Sequence, residues 1–235
     1  MDTVRGISAR TFRILTYTIL IKAVISTVML SCTTVEGLAL LSVIEAVPAI
    51  DSIYIVTQAL GFINVVACVM CLGGVSALSK KFTVSHILMV VVLIIECITT
   101  LLVALEMRLM VLGNSDAASV VEFVMLASLA VARLLMGVAL FFFMKGIGEI
   151  LRRYGDITAA SLSEHLGFVY ICCNTVAVIL AGFTWIGSSI AVLIVSAVIN
   201  LAAAILEILM YRKTSDAAFR LWRQRAFGIY EKIGQ

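Results

Sequence analysis

The sequence predicts an all-α integral membrane protein, a polytopic bundle of six transmembrane helices followed by a C-terminal interfacial amphipathic helix. Three observations carry that prediction. Of the 235 residues, 63% are hydrophobic and only 13% charged, and the mean hydropathy of +1.16 lies far outside the soluble globular range. The apolar residues gather into six runs, each about the 20 residues that cross a hydrocarbon layer at a rise of about 1.5 Å per residue. The basic residues fall in alternate connections between those runs, as the positive-inside rule expects of a multi-pass protein.

The first run, residues 14–32, follows Arg5, Arg10 and Arg13 in the manner of a signal peptide. It is too long for one and carries Lys22, so it is read as a retained first span. The connection 33–52 holds an apolar stretch and the only proline, Pro48. It is too short to span and too apolar for a free loop, which predicts a short helix lying on the outer interface or capping the bundle. The second and third spans cover 53–78 and 87–105, with Lys80 and Lys81 between them. The fourth, 120–145, is interrupted by Arg133 and continues as a helix to Tyr154, where Gly155 is placed as its C-cap before 156–163 turn the chain back. The fifth and sixth spans, 166–185 and 190–211, are joined by a tight turn at 187–189 and form an antiparallel hairpin. The chain thus divides into a transmembrane domain, 1–211, and a cytoplasmic tail, 212–235, in which Phe219, Trp222, Phe227 and Tyr230 approximate one face and Arg220, Arg225 and Lys232 lie elsewhere.

Charge tests the count. With both termini cytoplasmic, three basic residues precede the first span, two lie in the second connection, three in the fourth and six after the last span, fourteen of the 17 in the chain. Only Arg108 lies outside, among Glu36, Glu45, Asp51, Glu106, Asp116 and Glu122. An odd number of spans would destroy this asymmetry. The expected place is the cell membrane.

Each span also carries a stripe of small or polar residues at three- and four-residue spacing, which shares one helix face and should turn inward. One candidate from each helix reaches mid-membrane: Lys22, Asn64, Glu96, Arg133, Asn174 and Asn200. Counted from the nearest cytoplasmic anchor, Arg133 and Asn200 lie roughly 18 Å deep and Glu96 roughly 20 Å. Arg133 is the anomaly in this layer, since a guanidinium at bilayer depth is costly unless it meets protein or water, and it is expected to point into the bundle and meet Glu96 or a bound anion. Lys22 and Arg133 against Glu96 leave a net positive layer, which favours a small anionic solute or a proton-linked carboxylate.

Other classes of function find little support. The basic residues form no nucleic-acid patch. Cys68 and Cys71 have half of a zinc spacing without a second half, and Cys172 and Cys173 cannot reach one partner from a helix, so all six cysteines read as packing residues. No metal or cofactor is expected. His86 and His165 lie at predicted cytoplasmic ends, away from any nucleophile, so catalysis is not expected either. The layout is similar to that of the substrate-binding subunits of energy-coupling-factor vitamin transporters and of small permease subunits of peptide-exporting ABC systems. That similarity lies in span number and length, and no motif assigns the chain to either family. The function expected is a permease-like or solute-binding membrane subunit, with the lipid bilayer and a membrane or cytosolic protein as partners. The alternative is a structural or regulatory membrane protein that assembles with a partner.

Overall fold

The computed structural model describes residues 2–40, 49–186 and 189–233. They form six helices: α1 (Asp2–Leu40), α2 (Ala49–Val75), α3 (Lys80–Val111), α4 (Ser115–Arg153), α5 (Ile157–Ile186) and α6 (Ile190–Ile233), with one 3₁₀ turn at Ser76–Leu78. All six are long and apolar enough to cross a membrane. The chain is therefore a multi-pass helical membrane protein, and lipid contacts its exposed apolar faces.

The ends of the helices follow from side chains that satisfy orphan backbone groups. Ser79 accepts from the Lys81 N–H and starts α3. Asn114 accepts from the Ala117 N–H and starts α4, directly after Gly113, whose φ of 73° reverses the chain at the end of α3. Gly155, at φ 79°, ends α4, while Asp156 N–H bonds back to Leu151 C=O at 3.1 Å. Asp156 then caps α5 through the Ala159 N–H at 2.9 Å. In place of the turn expected over 156–163, that cap lets α5 begin at Ile157.

Two further expectations change. The short helix sought in 33–52 is in part the end of α1, which runs on to Leu40; residues 41–48 lie outside the described residues. The tail is no separate element, because α6 continues unbroken from the apolar span to Ile233. Its first extra turns are held down: Thr214 and Ala217 are fully buried, and Arg220 pairs with Asp156 at the α4–α5 corner. Of the expected turn at 187–189 only Ser189 is described, and its Oγ caps α6 through the Val192 N–H.

Each helix packs against its neighbours in sequence, and α1 closes the circle on α6; α4 also touches α6. One end of this ring carries the basic clusters. There Phe12, Phe82 and Phe143, from α1, α3 and α4, lie with ring centroids 5.6 to 6.4 Å apart and are essentially inaccessible. Gly146 makes the trio fit, since a Cβ there would stand 2.6 Å from the Phe82 ring. Met144, Ile147 and Leu151 extend this core along α4.

Packing loosens toward the opposite end. No side chain is buried from Thr100 to Val111, from Val178 to Phe183 or from Ile190 to Ala202, and only Ala118 is buried from Ser115 to Val131. The outward faces are mostly apolar. On α5 that face is Phe168, Val169, Val176, Ile179 and Phe183. Tyr170, Asn174 and Ala177 form the buried, inward face of the same helix, at helical spacing.

Candidate functional site

Lys22 organises the interior. It stands one turn beyond Thr18 on α1, and Thr18 accepts a hydrogen bond from the Cys68 thiol of α2 at 3.1 Å. From that position the ammonium donates to the Glu207 carboxylate of α6 and to the Tyr170 hydroxyl of α5 at 3.1 Å. Tyr170 in turn donates to Glu207 Oε1 at 2.7 Å. Three helices thus meet at one carboxylate oxygen. Glu207 is 1% exposed, and its other oxygen, Oε2, has no partner among the described residues. Glu96 of α3 is half-buried and within electrostatic reach of Lys22.

Asn64 belongs to the same level. α1 and α2 run antiparallel with Thr18 against Cys68 and Ile25 against Gly61, and this register sets Lys22 opposite Asn64. Asn64 is 7% exposed, and its Oδ1 is without a partner among the described residues. The cluster around Lys22 therefore holds two buried oxygens, on α2 and α6, that can accept hydrogen bonds and receive none among the described residues.

A second tier lies farther from the basic end. Asn174 is one turn along α5 from Tyr170, and Asn200 two turns along α6 from Glu207, so both tiers share the same helix faces. Arg133 of α4 donates from Nε to Asn174 Oδ1 at 3.3 Å and from Nη2 to Asn200 Oδ1. The amides are held in return: Asn174 donates to the Arg133 C=O at 2.7 Å and Asn200 to the Ser196 C=O at 2.8 Å. Gly137 leaves room for this, as a Cβ there would come within 2.7 Å of Asn174 Nδ2.

The six residues singled out in the sequence divide accordingly. Arg133, Asn174 and Asn200 come together in the outer tier; Lys22 meets α5 and α6 in the inner tier, with Asn64 and Glu96 beside it. The expected pairing of Arg133 with Glu96 does not occur among the described residues. The two are level, because Phe82 against Gly146 sets Glu96 opposite Ala132, but the Arg133 side chain turns to α5 and α6, and Glu96 makes no ion pair among the described residues. The charge count changes too. With Glu207 included, two cations face two carboxylates, and the layer is formally neutral.

Glu207 and Tyr170 lie on the inward stripes yet are no part of the layer expected from the sequence. Glu207 stands five residues from Arg212, a depth at which a carboxylate normally reaches water. Its seven-residue spacing from Asn200, and Tyr170's four from Asn174, are the signals in the sequence that place them on the same track. Cys68 and Cys71 are buried in the core as packing residues. Among the described residues no three His, Cys, Asp or Glu side chains stand where they could hold a metal ion. Comparison of the chain with protein-family models, with curated proteins and with solved structures gives no match.

Proposed function

We propose that the chain is a solute-handling subunit of the cell membrane, a small permease-like or solute-binding protein whose working centre is the cluster of Lys22, Tyr170 and Glu207. The observation that carries this reading is Glu207: a fully buried carboxylate at membrane depth, held by a cation from another helix, with one oxygen unpartnered among the described residues. Ionisable groups at such depth are expensive and mark solute or proton pathways in membrane proteins. Inside a ring of helices, unpaired acceptors are a place for a hydrogen-bond donor. The reading assigns no catalytic step.

The basic end faces the cytoplasm in this reading, with both termini there, because fourteen of 17 basic residues gather at it. The extension of α6 leaves the membrane at that end, and its first turns bring Phe219 and Trp222, both exposed and 6.3 Å apart, to the lipid interface. Replacing both by Ser is expected to raise hydrogen exchange along the extension in vesicles; no change would remove the interfacial assignment.

Melting of the purified protein in detergent against sets of small anionic, cationic, zwitterionic and neutral solutes tests the main reading. A solute that raises the midpoint saturably in the parent, and not in Glu207→Gln, supports it. A parent that responds to none overturns it. The second reading, a structural subunit that assembles with a partner, is favoured by the mutual satisfaction of Lys22, Tyr170 and Glu207 Oε1. A stoichiometric membrane partner that copurifies, with no solute response, would establish it.

A further inference from the structure

We propose that Arg133, framed by Asn174 and Asn200, is a binding site for a small oxyanion, a carboxylate or inorganic phosphate, that enters from the end opposite the basic clusters. The inference rests on the solute-handling reading and adds to it a second site, one tier farther from the basic end, with its own class of ligand. Its starting point is an imbalance. Lys22 is matched by Glu207 and has Glu96 nearby, whereas the described residues bring Arg133 only the neutral amide oxygens of Asn174 and Asn200.

Amide acceptors orient a guanidinium without cancelling its charge. Of its five N–H groups, Nε–H is spent on Asn174 and one on Nη2 is spent on Asn200, which leaves both N–H groups of Nη1 and one of Nη2. That remainder is the edge that receives two oxygens of one carboxylate or phosphate side by side. The fork is also fixed in place, because Asn174 is anchored to the Arg133 backbone and Asn200 to Ser196. An anion arriving there meets donors that are already oriented.

Two features give the site a direction. Arg133 remains exposed, and beyond its level Thr99, Ala118 and Ala177 are the only buried side chains described on α3 to α6, so the approach from that end is loosely packed. On the other side the way is shut by Lys22, Tyr170 and Glu207 and then by Phe12, Phe82 and Phe143. A lipid headgroup is the wrong source of the phosphate. Arg133 lies roughly 18 Å from Lys145, within a hydrocarbon core of about 30 Å, below the level of headgroups.

The test is melting of the detergent-purified protein titrated with acetate and with inorganic phosphate, chloride replacing each to keep ionic strength constant. The parent should show a midpoint that rises and saturates. Asn200→Asp places a counter-charge on the guanidinium and should raise the half-saturating concentration about tenfold or more, since a charge-assisted hydrogen bond is displaced. Arg133→Lys keeps the charge and loses the fork, so its response should weaken in the same direction; it serves if Asn200→Asp does not fold. A response that never saturates, or that is the same in the parent and in whichever of the two variants folds, overturns the site. If neither anion acts but a cationic or neutral solute stabilises the parent, the anion class is wrong and the solute-handling reading stands; if no solute of any class acts, both fall.

Discussion

Glu207 is where a single substitution should be felt most. It is almost inaccessible, and Lys22 is the cation that meets it. Lys22→Met removes that partner and leaves a buried carboxylate uncompensated, which is expected to destabilise the protein by about 3 kcal/mol or more. The double variant with Glu207→Leu removes both charges and should recover most of the loss, as read from chemical unfolding in mixed detergent micelles. Equal stability of the single and double variants would mean that the pair is not coupled. Gly146 offers a purely steric counterpart. A methyl group there would press on a Phe82 ring that Phe12 and Phe143 keep from retreating, so Gly146→Ala should cost about 1–3 kcal/mol in the same assay. At this scale the sequence tells depth but not direction. Counting residues from the basic anchors puts Arg133 and Glu96 at one level, since every helical residue advances the chain by the same rise. Which neighbour each side chain meets depends on the rotation of each helix about its axis. That rotation is set by contacts such as Gly137 against Asn174, and a single sequence does not spell those contacts out.

Among the elements, the corner between α4 and α5 has a measurable chemistry of its own. The Ala159 N–H, foremost, and then the Arg220 guanidinium hold the Asp156 carboxyl below its ordinary range. A carboxyl lowered by folding stabilises the fold above its ordinary value, near pH 4, and the contribution is lost as pH falls through the lowered value. The stability difference between the parent and Asp156→Asn should therefore be constant from neutrality down to about pH 5 and shrink below about pH 4. A difference that persists unchanged to pH 2 would mean that the charge on Asp156 contributes nothing. The helices are largely legible in the sequence, because apolar length and the glycine at 155 are local signals. The start of α5 is not, because Asp156 serves as cap and ion-pair partner at once, and its partner Arg220 is 64 residues away. The tail reads as a separate element because its composition shifts near Arg212. Composition marks where a helix leaves the apolar core, and backbone hydrogen bonding in α6 carries straight through that point.

At the scale of the whole molecule, the ring of α1 to α6 with its basic clusters at one end makes a prediction about sidedness. In a variant stripped of native cysteines, Ser115→Cys at the α3–α4 turn should react with an impermeant maleimide added to intact cells, and Ser215→Cys should react only after the membrane is opened. Labelling of Ser215→Cys from outside would reverse the orientation. The molecule also has a mechanical character that follows from α6. A single helix of 44 residues, about 66 Å long, carries Asn200 at the outer tier, Glu207 at the inner tier and Arg220 at the corner with Asp156. All three contacts therefore hang on one continuous helical backbone. A rotation of the extension by one residue's worth, about 100°, would swing Asn200 away from Arg133 and Glu207 away from Lys22 together, so any body that grips the extension holds a crank on both tiers.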